Sequence, residues 1–399
     1  MVSTQILSRR DARRLVLHRQ GLLEPDPYGR GIDAVRRAID SIAWVHIDTI
    51  SVVERSHHHV IRTRVRNYAP RHLHALQKDR RDLIEYWSHA AAYLPARDYR
   101  YCLPLMAGSR RKRSPDAKLG RLILDRIRKE GPLQSSDFAA PPDHKSRGWW
   151  DWKPAKRALE QLFLCGDLMV SHRDQFRKVY DLPERVIPAG VDTSMPSDDE
   201  WHEHLVRRTV AAWGVVTDYD IGYCKTAVRQ LADLSVGKAL AAASDRLVEQ
   251  QELVRVEVDG AAHYASAELL SALPIRLGGR RVRILSPFDN LVINRRKARE
   301  MFDFDYQIEC YLPEAKRRYG YFCLPILYGT ELIGRMDAKA ERGSRTLVIK
   351  ALFLEGRVGM NASLVDALKD GLVRFRKDND CDAVRIEATT PASLRRLLA

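Results

Sequence analysis

One order of predicted elements recurs along this chain and limits its fold more than any other feature. In residues 205–266, two helical runs precede LVRVEVDGAAHYAS, whose alternating strands flank Asp259-Gly260, a dipeptide typical of hairpin turns. Helix–turn–helix–helix–hairpin is the order of a winged helix. The pattern therefore predicts a winged-helix unit in this part of the chain.

Two earlier stretches follow the same plan. In the middle one, helical periodicity over 119–130 is followed by the turn GPLQSSDF, a helix over 153–168 and the strands LMVSHR and KVYDL. The first is looser, with a helix over 8–20, a strand over 43–50, helices over 54–64 and 70–78, and the extended run LIEYWSHAAAYLP. Three tandem winged-helix units are predicted.

After about residue 275 the chain changes to short β-rich runs such as RTLVIKALFLE and AVRIEA, joined by one helix, NASLVDALKDGLVRFRKD. The fold class is therefore predicted as α+β. Loops or linkers rich in Pro, Ser and charge are expected at 109–120, 139–148 and 188–200. The predicted domains are winged helix 1 over 1–108, winged helix 2 over 116–187, winged helix 3 over 200–274, and a β-rich, barrel-like subdomain over 275–399.

The charge balance points to a polyanionic partner. The 399 residues carry a formal net charge of +15 and a pI of about 9.6, and each phosphate that a cation neutralises releases condensed counterions. Nucleic acid is favoured, and a merely soluble basic surface is the alternative. With no signal-peptide run and no stretch of about 18 apolar residues, a cytoplasmic protein without membrane association is expected. Six scattered cysteines, without Cys-x-x-Cys pairs, are expected to be buried thiols.

The segment VHIDTI carries the most suggestive polar pair. Because side chains alternate along a strand, His46 and Asp48 are expected on one face, opposite Val45 and Ile47. A solvent-facing polar edge would explain such a pair without any function. The apolar flanks Ala43-Trp44 and Ile50 instead suggest a largely buried strand, which favours a pair that lines a cleft.

The next helix carries the triplet His57-His58-His59. Neighbouring residues on a helix point about 100° apart, so these rings are not expected to converge on one metal ion. Arg55, Arg62, Arg64 and Arg66 surround the triplet, and this density of positive charge suits phosphate contact, with a solvated basic face as the alternative.

At these residues the sequence resembles the winged-helix DNA glycosylases of the YcaQ and AlkZ type. The resemblance covers nearly the whole chain. It is carried by QGLL, WVHIDTISVVERSHHHVIRTR, EYWSHAAAYLP, GPLQSSDF, WWDWKPAKRALEQLFLCGDL and the run from LSPFDNLVINRRKAREMFDFDY to GRMDAKAERGSRTL. It implies three winged-helix units and a barrel-like element around a concave, basic DNA channel.

The resemblance also implies a reaction and its residues. The family excises alkylated purines and unhooks interstrand crosslinks with a Gln–apolar–Gln or Gln–apolar–Asp signature. The matching positions here read His46-Ile47-Asp48, so the Asp is kept and His replaces Gln. Asp48 is expected to activate water and stabilise an oxocarbenium-like sugar, with His46 holding the same water. No metal or organic cofactor is implied.

Further site residues are expected to contact DNA. Near the pair these are Arg55, His58, Arg62 and Arg64, and Trp87 and His89 of EYWSH are expected near the same cleft, with core packing as the alternative for Trp87. In the C-terminal part Arg335, Lys339, Arg342 and Arg345 flank the turn AERGSR, either as a basic hairpin for a DNA groove or as an ordinary charged loop.

The sequence thus predicts a monomeric, monofunctional DNA glycosylase acting on double-stranded DNA with N7-alkylated purines or crosslinks. A non-catalytic winged-helix regulator is the first rival, although a DNA reader would avoid a carboxylate facing phosphates. A nuclease is the second, although nucleases gather several carboxylates around metal ions and no such cluster stands out.

Overall fold

The structure is a computed structural model that describes residues 4–113, 116–138 and 154–398. The chain divides into two compact units. Unit 1 comprises Met1–Tyr68, Thr209–Asp220 and Val248–Ala399, and unit 2 comprises Ala69–Arg208 and Ile221–Leu247. Within the described ranges, no helix is both long and apolar enough to cross a membrane.

The α-helices are numbered in chain order. They are α1 Arg9–Arg19, α2 Gly31–Ile42, α3 Ser56–Arg62, α4 Pro70–Lys78, α5 Leu103–Lys112, α6 Ala117–Glu130, α7 Pro154–Leu164, α8 Pro183–Val186, α9 Asp198–Trp213, α10 Asp218–Ile221, α11 Lys225–Ala232, α12 Gly237–Glu249, α13 Ala267–Leu270, α14 Arg295–Phe302, α15 Ala362–Asp378 and α16 Ser393–Leu398.

The strands are numbered in the same way. They are β1 Gln5–Leu7, β2 Val45–His46, β3 Leu83–Trp87, β4 Ala91–Pro95, β5 Leu133–Gln134, β6 Met169–Asp174, β7 Arg177–Asp181, β8 Leu253–Val258, β9 Ala261–Ser266, β10 Val282–Ile284, β11 Cys323–Tyr328, β12 Glu331–Glu341, β13 Thr346–Leu354, β14 Ala383–Ile386 and β15 Thr389–Thr390.

In unit 1, the predicted hairpin over 253–266 is confirmed as β8 and β9. Asp259 and Gly260 both have positive φ, 50° and 77°, as a tight two-residue turn between twisted strands requires. β1 pairs with β8 in parallel and makes a three-stranded sheet. α1 begins where the Ser8 hydroxyl accepts the Asp11 N–H at 3.1 Å, and its buried face enters the same core as this sheet.

The β-rich C-terminal part of unit 1 forms a six-stranded sheet. Its order is β10-β11-β12-β13-β14, and β15 also pairs with β13. Asn361 caps the start of α15, because its side chain accepts the Leu364 N–H at 2.9 Å. The helix buries Leu364, Leu368 and Leu372 in the core that this sheet shares. The predicted mixed α+β class is confirmed.

In unit 2, the strands predicted in the middle segment are β6 and β7, and β5 completes a three-stranded sheet of order β5-β7-β6. The predicted helices are α6 and α7. The expected loop at 139–148 lies outside the described residues. The loop expected at 109–120 is largely helical, because α5 continues to Lys112 and α6 begins at Ala117 behind the cap that Asp116 provides.

The first segment departs from its prediction in three places. The strand expected over 43–50 contains only Val45 and His46, because the Asp48 side chain accepts the Ile50 N–H and turns the backbone. The run LIEYWSHAAAYLP is a hairpin, β3 and β4, instead of one extended run. Helix α2 was not predicted, although its buried face repeats at helical spacing through Ala34, Ala38 and Ile42.

Candidate active site

His46 and Asp48 lie together in unit 1, at the end of β2. The His46 Nε2 atom is 3.8 Å from the Asp48 Oδ2 atom, and the two side chains are 10% and 16% exposed. The pair is therefore close and largely shielded, yet open to a small reactant. The predicted convergence of the two side chains is observed, although a local turn produces it at Asp48 instead of a continuing strand.

One oxygen of the Asp48 carboxylate is held by the backbone. Its Oδ1 atom accepts the Ile50 N–H at 2.7 Å, which fixes the plane of the carboxylate and leaves Oδ2 on the side of His46. The 3.8 Å between Oδ2 and the His46 ring exceeds a direct hydrogen bond. The two polar atoms therefore face each other without a direct hydrogen bond.

The segment 285–294 supports this pair from the C-terminal part of unit 1. The Phe288 ring lies 4.8 Å from the His46 ring, and the Asn290 side chain donates to the carbonyls of Ile42 and Trp44 at 3.1 and 3.2 Å. The Ser56 hydroxyl donates to the His46 carbonyl at 3.1 Å. Both sides of the short strand are thereby fixed.

Arg64 is a structural residue, and its prediction as a DNA contact is wrong. Its guanidinium donates to both oxygens of Asp289 at 2.6 and 2.9 Å, and both side chains are fully buried. It also donates to the Gln20 carbonyl at 2.9 Å. A buried arginine that is paired in this bidentate way has no face left for a phosphate. This pair ties α3 to the segment that carries Phe288 and Asn290.

The three histidines of α3 point to different partners. His58 shares a 2.6 Å hydrogen bond with the Tyr68 hydroxyl, and His59 donates to the Ile284 carbonyl at 2.8 Å. Burial lowers the pKa of His58 and of His59 to about 4, so both rings are neutral at pH 7. His57 is buried too. The expected basic face of this helix is therefore confined to its arginines, and His58 adds no positive charge for a phosphate.

The remaining arginines near the pair are partly engaged. Arg62 lies 3.4 Å from the Glu54 carboxylate, donates to the Asp378 carbonyl and stands 5.9 Å from the Tyr68 ring. Arg55 is half-buried at the start of α3, and Arg66 is exposed 3.7 Å from Asp26. DNA contact by Arg55 and Arg62 stays a prediction.

The predicted basic hairpin exists, but fewer of its positive charges are free than its sequence suggests. β12 and β13 form it, and Lys339 and Arg342 are exposed on it. Arg342 donates to the carbonyls of Asn379 and Val53. Arg335 is buried against Glu355 at 2.7 Å and stacks 4.2 Å from the Tyr319 ring. The prediction that Arg335 contacts DNA is wrong, because its charge is already neutralised inside the fold.

Arg345, beside the same turn, is paired too. It donates to both oxygens of Asp382 at the surface.

Trp87 and His89 belong to unit 2. Both are half-buried, His89 in the turn of the β3–β4 hairpin with its ring 5.2 Å from that of Tyr223. Their expected place near the cleft stays a prediction.

Two residues near Asp48 escaped the sequence analysis. Tyr311 is 72% exposed, and burial and the Asp48 carboxylate raise its pKa. Burial and the same carboxylate raise the pKa of Cys310, which is half-buried, whereas the other five cysteines are buried as expected. Only spatial proximity reveals these neighbours, since they lie more than 260 positions from Asp48.

No group of three or more His, Cys, Asp or Glu side chains within the described ranges is arranged to hold a metal ion.

The family described as DNA glycosylase AlkZ-like has a model that matches residues 39–377 of the chain. The chain belongs to this family. It is accordingly a DNA glycosylase of the AlkZ-like family, a DNA-binding protein of DNA repair.

A solved structure supports the same fold for this AlkZ-like glycosylase. The chain is similar to Streptomyces sahachiroi DNA glycosylase AlkZ with a TM-score of 0.61 and 14% sequence identity. The match covers 96% of this chain and 100% of that one. At this identity the likeness shows a shared fold.

Proposed function

We propose that this AlkZ-like glycosylase hydrolyses the N-glycosidic bond of N7-alkylated purines in double-stranded DNA, with His46 and Asp48 as its catalytic residues. The observation that carries the proposal is the shielded pair itself, with Asp48 Oδ2 3.8 Å from His46 Nε2 and the other Asp48 oxygen fixed by the backbone. A monofunctional reaction of this kind needs an activated water and a stabilised sugar cation.

The chemistry of the lesion explains why a single carboxylate suffices. An N7-alkylated purine already carries positive charge, so it leaves with little protonation, while the sugar develops oxocarbenium character. The Asp48 carboxylate stabilises that cation and takes a proton from the attacking water, and His46 orients the same water through a ring nitrogen. General acid–base catalysis of this type contributes about 10²–10⁴-fold to a rate.

The exposed Tyr311 ring supports the same assignment. An aromatic face near the carboxylate offers a stacking surface to a base, and every base has a π-face to meet it. Arg55 and Arg62, with Lys339 and Arg342 on the hairpin, are proposed to hold phosphates around the site.

We extend the proposal to the architecture that the family resemblance implies. The repeats over 1–108, 116–187 and 200–274 are proposed to act as winged-helix units, followed by the β-rich part over 275–399. The protein is proposed to bind the duplex as a monomer. Unhooking of interstrand crosslinks is proposed as a further activity of the same catalytic pair.

The test compares Asp48→Asn with the wild type on duplex DNA containing N7-methylguanine, in EDTA. Release of free base is expected to fall by at least about 10²-fold, because the amide cannot take a proton from water. Affinity for the duplex, measured by fluorescence anisotropy, is expected to stay unchanged. Asp366→Asn, an exposed aspartate on α15, is the matched control and should keep wild-type turnover.

The rivals are separated by running the assay once in EDTA and once with added Mg²⁺. A regulator would bind the duplex and release no base in either condition, whereas a nuclease would cut the strand only with the metal ion present. Full activity of Asp48→Asn would refute the catalytic assignment.

A further inference from the structure

One cavity of unit 1 is rich in basic side chains, and of these only Arg62 has a part in the proposed DNA contacts. It holds about 500 Å³, which lies within the range of small-molecule pockets, about 300–1,000 Å³. Its walls come from the C-terminal end of α3, from β10 and from the last turns of α15. Seven arginine and lysine side chains line it, against three carboxylates.

The sequence spacing explains why the cations face one space. Arg281 and Arg283 are two positions apart along an extended segment, so they share a side of it. Arg374 and Lys377 are three apart on α15 and share a helix face. Gly371 allows that helix to approach β10 closely, because a Cβ there would stand 2.6 Å from the Val282 side chain.

The acids of the cavity do not neutralise this set. Arg64 is matched by Asp289, Arg62 lies beside Glu54 and Arg66 lies beside Asp26. This accounts for two of the three lining carboxylates, and Asp378 is the third. Four further cations remain around one carboxylate: Arg281, Arg283, Arg374 and Lys377.

Arg283 shows the effect of this crowding. Each of its three nitrogens donates to a backbone carbonyl, to that of Leu22 at 2.9 Å, of Thr63 at 2.8 Å and of Glu24. Burial and then the charges of its arginine neighbours lower its pKa to about 10, although Asp26 opposes them. Arg283 is therefore held in place by backbone carbonyls and lies among other cations.

We propose that this cavity is a phosphate-binding site, with Arg281, Arg374 and Lys377 as its direct ligands and Arg283 as a fixed charge behind them. Guanidinium and ammonium groups converging on one concave space bind phosphate by charge-assisted hydrogen bonds. Arg281 and Lys377 are exposed, and no carboxylate contacts them among the residues that the structure describes. The phosphate belongs either to the DNA backbone or to a free phosphate or nucleotide.

Two single variants of the full chain test the site. Arg281→Ala and Lys377→Ala each remove one direct ligand, and Lys369→Ala is the matched control because it removes an exposed lysine of the same helix outside the cavity. All three side chains are exposed, so urea unfolding midpoints close to the wild type are expected and verify folding.

Two readouts separate the sources of the phosphate. The first is calorimetric titration with inorganic phosphate at constant ionic strength, and the second is binding of an undamaged 20-base-pair duplex across a salt series. If the site takes backbone phosphate, each cavity variant lowers the salt slope of duplex binding by about one. If it takes free phosphate, the affinity for inorganic phosphate falls by about tenfold and duplex binding matches the control.

Either result in both cavity variants, and not in Lys369→Ala, supports the site. Cavity variants that equal Lys369→Ala in both readouts overturn it. Because neither readout involves base release, the proposal fails or holds independently of the role of Asp48.

Discussion

At the scale of single residues, the unusual feature is a histidine where the resembled family has glutamine. His46 sits 3.8 Å from Asp48, and its ring lies 4.8 Å from the Phe288 ring at a tilt of 35°. A ring nitrogen can hold a water molecule, as the glutamine amide does.

His46→Gln is therefore expected to keep turnover of N7-methylguanine within about tenfold of the wild type. The measurement is single-turnover base release from duplex DNA that contains N7-methylguanine. A dead variant would mean that His46 performs a step that an amide cannot, such as proton transfer.

A second residue-scale prediction concerns the buried pair that supports the site. Arg64→Met leaves the Asp289 carboxylate buried without its partner, and breaking such a pair costs about 3–5 kcal/mol of unfolding free energy. Urea unfolding measures the change. Arg345→Met is the control, since its bond to Asp382 lies at the surface, and it should move the midpoint little. Equal shifts in the two variants would contradict the structural role of Arg64.

At the scale of elements, features set by neighbouring residues were predicted correctly, whereas features set by residues far away in sequence were not. The Asp259-Gly260 turn and the helix after Asn361 follow from neighbours in sequence, and both were predicted. The strand through His46 was predicted too long, because the side chain of Asp48 competes for the backbone two residues later.

Whether a charged side chain is free to contact DNA or is already paired inside the fold was harder to predict. Arg64 looked like one more phosphate contact in a basic run, but its partner Asp289 is 225 positions away. Arg335 was misread for the same reason, since its partner Glu355 lies 20 positions away, directly after β13. Only the site pair itself, two positions apart, could be assembled from sequence and family resemblance.

The buried histidine of α3 gives this helix a predictable weakness in acid. The pKa of His59 is about 4 in the folded chain and about 6.5 when exposed, so the unfolded chain binds a proton first as the pH falls. Stability is therefore full above pH 6.5 and is lost between about 6.5 and 4. At about 1.4 kcal/mol per pKa unit, His59 accounts for about 3 kcal/mol of that loss.

Urea unfolding at pH 7, 6, 5 and 4.5 checks this prediction. In His59→Gln the fall in unfolding free energy with acid should be smaller by the amount that His59 contributes, and the difference between the two curves should grow as the pH falls. Parallel curves for His59→Gln and the wild type would show that the ring is not kept neutral by the fold.

At the scale of the whole molecule, the net charge of +15 bears on DNA affinity. If the protein contacts six to ten phosphates, its affinity for an undamaged duplex should fall by about 10³–10⁵-fold between 50 and 200 mM salt. Fluorescence anisotropy across that range tests this. An affinity that hardly varies with salt would mean that the surplus charge faces solvent instead of DNA.

The contacts between segment 285–294 and His46 also limit which recombinants of related genes can fold. A gene exchange between relatives with a breakpoint anywhere between codons 65 and 284 would inherit Arg64 from one parent and Asp289 from the other, together with unmatched partners for His46 and Trp44. Chimeras in which these partner residues differ are expected to lose the support of β2 even when its own codons are intact. The two ends of the gene are thus bound to be inherited, and to change, together.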